Sequence, residues 1–176
     1  MIIQRVVTGF LNENCYIVSY GNECLIVDPG DDFDKIIKKV GDKKVLGVLI
    51  THYHFDHIGA LDEVIKRYHV SVIDFMSDKF QNIGKFNFEI IPTYGHTNDS
   101  VTYYFKKENI MFTGDFLFKL TIGRCDLSGG DKKLMMGSIN KIKKYSPFIK
   151  IYPGHGEESN LGFEFDNNSF LGGNYA

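Results

Sequence analysis

The sequence has no tryptophan, only four prolines and only three cysteines among its 176 residues. Cys15, Cys24 and Cys125 are odd in number and widely spaced, which fits reduced thiols better than a disulfide framework and leaves their roles open. No apolar run reaches ~18 residues, so no transmembrane helix and no membrane partner are expected. The net charge is −2 and basic residues form no block, which disfavours a nucleic-acid-binding surface.

The composition is that of an ordinary globular domain, with 43% hydrophobic and 24% charged residues. A chain of this length buries roughly two-thirds of its unfolded surface, which predicts a single domain over residues 1–176. The first residues show no basic segment followed by an apolar one, so no secretory leader is predicted and a cytoplasmic location is expected. The sequence does not indicate an oligomeric state.

Apolar runs and helical periodicities alternate along the chain. Short apolar runs bounded by turn residues predict strands, and apolar residues recurring at i, i+3 and i+4 predict amphipathic helices. Helices are expected over 34–40, 58–68 and 131–145. Strands are expected near 6–7, 15–19, 23–27, 45–51, 70–73, 88–92, 101–105, 110–113 and 148–152. Residues 76–85 have no clear pattern, and the Gly- and Asn-rich tail after 156 is expected to be loop.

Three of the six histidines lie in one run of six residues, His52-Tyr53-His54-Phe55-Asp56-His57, directly after a predicted buried strand. In an extended chain, residues i and i+2 point to the same side, so His52 and His54 could bind one ion together. Asp56 and His57 follow where the chain turns towards a helix, so we expect them to face a second ion. Imidazole nitrogen and carboxylate oxygen are the ligands of zinc and similar ions.

Other potential ligands also follow predicted strands. His96 would complete the first set of ligands, His155 would complete the second, and Asp115 could bridge the two ions. Two ions in this arrangement can share a hydroxide and stabilise both the attacking and the leaving atoms of a hydrolysis. The sequence therefore predicts a dinuclear metal site at one edge of the fold.

Several further segments share a pattern with one known family. They are Asn14-Cys15-Tyr16, Val27-Asp28-Pro29-Gly30, Gly95-His96-Thr97, Thr113-Gly114-Asp115, Ile122-Gly123-Arg124 and Pro153-Gly154-His155-Gly156. With the histidine-rich run, they resemble the metallo-β-lactamase-fold hydrolases, and within that superfamily the short single-domain form of the glyoxalase II (hydroxyacylglutathione hydrolase) branch. Tyr94 departs from the family, which usually has proline there, and could alter the shape of the pocket.

The resemblance implies a fold of the α+β class: an αβ/βα sandwich of two mixed β-sheets with helices on the outer faces. It also implies two divalent ions, with zinc favoured and iron or manganese as alternatives. The implied ligands of the first ion are His52, His54, His96 and Asp115. Those of the second are Asp56, His57, Asp115 and His155, with Asp28 supporting the ligands from behind.

The implied activity is hydrolysis of acyl thioesters, S-(2-hydroxyacyl)glutathione in particular, by a metal-bridging hydroxide. Asp56 would both ligate an ion and help orient the nucleophile. Arg124, Lys119 and Tyr94 are the candidate contacts to this small-molecule substrate, with Arg124 preferred because its planar fork pairs well with carboxylate.

Other functions stay open at this point. A mononuclear iron persulfide dioxygenase resembles the chain in the same His, Asp and Gly-Arg motifs. A lactonase, a β-lactamase or a phosphodiesterase would use the same fold, since one fold hosts many reactions. A binding protein without enzymatic activity is a further alternative.

Overall fold

The computed structural model describes residues 1–172. The first half of the chain forms a five-stranded sheet in the order β1-β2-β3-β4-β5. Its strands are β1 (Ile2–Thr8), β2 (Glu13–Tyr20), β3 (Glu23–Val27), β4 (Lys44–Leu49) and β5 (Val72–Ile73). The first three strands pair antiparallel, whereas β3, β4 and β5 run parallel. The sheet is therefore mixed, and the parallel strands require crossover connections.

Helices α1 (Phe33–Val40) and α3 (Leu61–Tyr68) lie in those crossovers, and the single turn α2 (Phe55–Ile58) precedes α3. The prediction of one helix over 58–68 is confirmed for 61–68 but wrong at its start, because the chain breaks at Gly59 and Ala60. The amide of Ala60 donates to the carbonyl of Pro29 at 3.0 Å instead of continuing α2. This tertiary hydrogen bond outweighs the local helical periodicity and separates α2 from α3.

The second half forms a six-stranded sheet in the order β13-β12-β9-β8-β7-β6. Its strands are β6 (Phe80–Ile83), β7 (Phe86–Pro92), β8 (Val101–Phe105), β9 (Ile110–Gly114), β12 (Lys150–Pro153) and β13 (Ser159–Asn160). Within residues 1–172, β9 and β12 are the one parallel pair of this sheet, and its other strands pair antiparallel. A separate small hairpin consists of β10 (Leu117–Phe118) and β11 (Thr121–Ile122).

Helix α4 (Lys132–Ile142), helix α5 (Leu161–Asn167) and a 3-10 turn (Ser169–Leu171) pack outside the second sheet. Asp131 caps α4, since its carboxylate accepts hydrogen bonds from the first turn. The expectation that the tail is loop is wrong for α5. The side chain of Asn160 accepts from the amide of Phe163 at 2.8 Å and so starts the helix.

The buried apolar side chains form three clusters, one at each interface between layers. An aromatic-rich cluster that includes Tyr16, Phe105 and Phe112 lies between the two sheets. A second cluster packs α1 and α3 on the first sheet, and a third packs α4 and α5 on the second sheet. The predicted α+β sandwich of two mixed sheets with helices on its outer faces is confirmed.

The two sheets are joined where parallel strands β3, β4, β9 and β12 end. The amide of Val101 donates to the carbonyl of Thr51 at 2.8 Å, and the amide of Asn14 donates to the carbonyl of Gly154 at 2.7 Å. Loops that leave this edge are therefore anchored on both sides. Among residues 1–172, no helix has both the length and the hydropathy to cross a membrane.

Candidate metal centre

Three imidazoles converge at the joined edge of the sheets. His52 and His54 follow β4, and His96 lies between β7 and β8. His52 Nε2 lies 3.1 Å from His54 Nδ1, which in turn lies 2.9 Å from His96 Nε2. Ligand atoms about 2.0–2.1 Å from one tetrahedral zinc ion are about 3.3–3.4 Å apart. The three nitrogens are therefore spaced to bind a common ion.

A second set of donors lies beside the first. His155, in the loop after β12, has its Nε2 at 3.2 Å from Asp56 Oδ2. His57 Nε2 lies 3.3 Å from Asp115 Oδ1. The other oxygen of Asp115 is 3.5 Å from His96 Nε2 and 3.7 Å from His155 Nε2. Asp115 thus touches both sets, in the position predicted for a bridging ligand.

Two buried atoms of this cluster indicate that a cation fits there. His57 Nε2 and Asp115 Oδ1 are buried and have no hydrogen-bond partner among the described residues. Buried polar atoms are rarely left without a partner, and a metal ion bound here would provide one for both. The absence of a side chain at Gly154 lets Asp115 and His57 lie close to the backbone, because a Cβ there would lie 2.4 Å from Asp115 Oδ1 and 2.6 Å from His57 Cε1. The nitrogen and oxygen donors suit zinc, iron or manganese.

The protonation states of several residues also suit metal binding. Burial and the neighbouring imidazoles lower the pKa of His52 well below its usual value, and that of His54 is lowered for the same reasons. Burial acts to raise the pKa of Asp115, but its contact with His57 outweighs this effect and lowers the pKa. Neutral imidazoles and ionised carboxylates are the forms that bind metal ions.

In the second set, the carboxylates instead favour the protonated, positively charged form of the imidazoles. Burial acts to lower the pKa of His57, but Asp115 and Asp28 outweigh it and raise the pKa well above its usual value. The pKa of His155 is also raised, because Asp56 outweighs the effect of burial. A divalent ion would satisfy these carboxylates in place of the imidazole protons, which would be released on binding.

Asp28 orients His57 through a hydrogen bond to its Nδ1. Asp28 Oδ1 accepts from the amide of Thr51 at 2.7 Å, and Oδ2 accepts from the Thr51 hydroxyl at 2.6 Å. The same Oδ2 lies 3.0 Å from His57 Nδ1, which must be the donor because a carboxylate only accepts. The proton is therefore on Nδ1, and Nε2 is left to bind a cation. His96 is oriented similarly, since its Nδ1 donates to the carbonyl of Arg124 at 2.8 Å.

Glu13 is part of this region, although no pattern in the sequence indicates it. Its side chain is buried, its Oε2 accepts from the Thr8 hydroxyl at 2.7 Å, and its Oε1 lies 3.9 Å from His57 Nδ1. Between Asn12 and Asn14 it looks like a solvated turn residue. Only its position at the start of β2, where its backbone forms a bridge with His155, places it here.

We predict that Glu13→Gln changes how the stability of the metal-free protein depends on pH. Burial raises the pKa of Glu13 well above its usual 4.5, although the charge of His57 acts in the opposite direction. Folding therefore favours the protonated acid, and stability falls as pH rises from 4.5 through the folded pKa. Glutamine keeps the shape without the charge, so the variant should be more stable than the wild type at pH 8, with the difference shrinking towards pH 4.

The measurement is urea unfolding in chelator at a series of pH values between these limits. Glu63→Gln, at an exposed position on α3, is the matched control and should follow the wild type at every pH. A stability difference for Glu13→Gln that does not vary with pH would contradict the prediction.

A cavity of about 520 Å³ opens above the ligand cluster. Most of its wall surface is apolar and comes from Leu11, Phe55, Phe118, Ile122 and Leu127. Among the predicted substrate contacts, Arg124 lines this cavity, but its guanidinium binds Asp126 through two hydrogen bonds of 2.7 and 2.8 Å.

The other two predicted contacts lie elsewhere. The ammonium of Lys119 pairs with Glu157 at 2.5 Å, and Tyr94 is half-buried with its carbonyl bonded to the Ser138 hydroxyl at 2.7 Å. Neither is among the described residues that line the cavity. Their roles as substrate contacts, like that of Arg124, stay predictions.

Comparison with known proteins gives consistent matches over nearly the whole chain. A family model described as the Metallo-beta-lactamase superfamily matches residues 8–81 and 77–155. The probable metallo-hydrolase YqgX of Bacillus subtilis (strain 168) is 33% identical, with 97% of both chains covered. The hydroxyacylglutathione hydrolase GloC of Haemophilus influenzae is 30% identical, with 94% of this chain and 95% of that protein covered.

Solved structures agree with these relatives. The crystal structure of the BLEG-1 B3 metallo-beta-lactamase has a TM-score of 0.93 and 32% identity, covering 98% of this chain and 100% of that one. A di-iron-bound form of TTHA1623 has a TM-score of 0.87 and 27% identity, covering 96% of this chain and 100% of that one. With its two-sheet sandwich and its cluster of imidazoles and carboxylates, the chain belongs to the metallo-beta-lactamase superfamily, as one of its metallo-hydrolases.

Proposed function

We propose that this protein hydrolyses acyl thioesters, with S-(2-hydroxyacyl)glutathione as the reference substrate. The observation that carries the proposal is the convergence of seven imidazole and carboxylate side chains, in two sets that share Asp115, at the floor of a mostly apolar cavity. Support also comes from the Haemophilus influenzae relative, which is named for this activity and is 30% identical over 94% of the chain.

The metal assignments belong to this proposal. One ion would be held by His52, His54, His96 and Asp115, and the other by Asp56, His57, Asp115 and His155. Divalent ions bound there would supply a Lewis acid for the thioester carbonyl and an activated water near neutral pH. We favour zinc, with iron or manganese as alternatives, and the di-iron form of TTHA1623 supports iron as an alternative.

The residues around the ligands have separate tasks. Burial acts to raise the pKa of Asp56, but His155 and His57 outweigh it, so the carboxylate is ionised at neutral pH. An ionised Asp56 in the cavity can accept a hydrogen bond from the attacking water and orient it. Apolar walls that include Leu11 and Phe118 would exclude bulk water from the thioester. The oxygen of the attacking water bonds to the acyl carbon, and the C–S bond then breaks to release a thiolate. Because thiols have a pKa of about 8.5, this leaving group needs little assistance.

The test is thiol release from a thioester panel by protein loaded with one metal at a time. We expect release from S-lactoylglutathione or another acyl thioester, its loss in chelator, and two divalent ions per chain by elemental analysis. A panel in which no thioester releases thiol would end this proposal. One iron per chain together with oxygen uptake on glutathione persulfide would support the dioxygenase instead.

A second candidate activity is β-lactam hydrolysis, which the 32% identity to a protein described as a B3 metallo-beta-lactamase favours. Its substrate also has a carbonyl that water attacks, but the leaving group is an amine nitrogen rather than a thiolate. A chromogenic cephalosporin assayed beside the thioesters separates the two activities. A kcat/KM higher for the cephalosporin than for every thioester would make this the better assignment.

A further inference from the structure

A second cavity of about 380 Å³ lies next to the one above the ligand cluster. The two cavities share one wall, the segment Ile122–Arg124. The remaining lining residues of the second cavity are Cys125, Lys132, Met135, Met136 and Phe170. We call this second space the methionine cavity. The two cavities are therefore adjacent, with this segment between them.

The walls of the methionine cavity are suited to a hydrocarbon chain. Met135 is buried, whereas Met136 and Phe170 are 44% and 45% exposed and so present apolar surface to the cavity and to solvent. Thioether side chains adapt to apolar ligands of differing shape. Arg124, one of the two cations among the lining residues, is ion-paired with Asp126. The apolar side chains of the walls therefore favour a hydrocarbon group as the occupant.

The shared wall is thin and well anchored. A Cβ at Gly123 would lie 1.7 Å from the Asp115 carbonyl oxygen, so this position must be glycine and has no side chain to widen the wall. The next residue is fixed to the ligand cluster, because the carbonyl of Arg124 accepts from His96 Nδ1. Because Gly123 has no side chain, an acyl chain whose carbonyl lies at the cluster would pass over this segment to reach the methionine cavity.

We propose that the methionine cavity binds the hydrocarbon part of the acyl chain, and that the protein prefers medium-chain acyl thioesters to S-lactoylglutathione. This inference rests on the proposed thioester hydrolysis and names its substrate class. A chain too short to cross the Ile122–Arg124 segment gains nothing from the cavity, whereas each further methylene beyond it is removed from water.

The kinetic test is a series of N-acetylcysteamine thioesters with acyl chains of two, four, six and eight carbons. We expect kcat/KM to rise roughly two- to fourfold per methylene between four and eight carbons, from the burial of each methylene. Met136→Asp should abolish this rise. Leu134→Asp is the matched control, since Leu134 is 45% exposed on the same helix but does not line the cavity, and it should keep the rise.

Two kinetic results would overturn the inference. One is a flat series in the wild type while the short thioesters are hydrolysed, which would leave the proposed function intact. The other is a rise that appears only when the alkyl chain is placed on the thiol side of an acetyl thioester, which would mean that the cavity receives the leaving group.

Binding can be tested without catalysis by labelling the methyl groups of the five methionines with carbon-13. Titration with octanoate should shift the NMR signals of Met135 and Met136, whereas Met76, which is 78% exposed, and the same titration with acetate should show no shift. Unmoved signals of Met135 and Met136, or an equal shift of Met76, would overturn the inference. If Met135 and Met136 shift specifically in a protein that hydrolyses no thioester, the cavity binds hydrocarbon although the proposed function is wrong.

Discussion

Asp115→Ala should lower kcat/KM for the best thioester by about a thousandfold, equal to roughly 4 kcal/mol of transition-state stabilisation. Asp115 lies against both sets, with Oδ1 3.3 Å from His57 Nε2 and Oδ2 3.5 Å from His96 Nε2. Its removal takes one ligand from each ion and leaves His57 Nε2 facing an empty space. We therefore expect bound metal to fall from two ions per chain to one or fewer.

The measurement pairs elemental analysis with kinetics on protein purified without chelator. Asp166→Ala, at an exposed position on α5, is the control and should keep both the metal and the activity. If Asp115→Ala retained two ions and an activity within threefold of the wild type, Asp115 would not be the bridging ligand.

The ligand cluster could be predicted because each of its segments follows an apolar strand. The carboxyl ends of parallel strands meet at one edge of a sheet, so β4 and its neighbours bring distant histidines together without any detail of side-chain packing. The spacing of His52 and His54 reflects an extended backbone, which the sequence encodes locally. Each of the seven proposed ligands can therefore be identified from the sequence alone.

The residues that contact the proposed ligands could be predicted only in part. Asp28 was expected, but Glu13 was not, because an isolated carboxylate next to a turn looks solvated until the sheets close over it. The carbonyl of Arg124 also could not be foreseen, since any residue at that position has one. Contacts of this kind depend on tertiary geometry rather than on residue type.

The departures in the fold have a similar origin. The break between α2 and α3 results from a hydrogen bond to Pro29, far away in sequence, which no local periodicity reveals. The missed helix α5 had a signal, because Asn160 stands at an N-cap position, but the glycines and asparagines around it favoured loop. The ion pair of Arg124 with Asp126 also has a local cause, since the two are only two residues apart.

Asp28→Asn should lower metal affinity 10- to 100-fold while leaving the fold intact. Asp28 accepts three hydrogen bonds, from the amide and hydroxyl of Thr51 and from His57 Nδ1. Asparagine has one acceptor oxygen, so its NH₂ group must face at least one of these donors. The Asp28 backbone has φ 47, which asparagine tolerates well. The loss of metal affinity would therefore come from the changed side chain alone.

Asp32→Asn is a closely matched control, because Asp32 also has a positive φ, of 52, but lies away from the ligands and binds Lys35. Chelator competition on both variants measures the affinity of each ion separately. We expect the loss in Asp28→Asn to fall on the ion held by His57, since that imidazole loses the acceptor that fixes its proton on Nδ1. An equal loss at both ions would instead mean that Asp28 acts through Thr51, whose hydroxyl also lies 3.1 Å from His52 Nδ1.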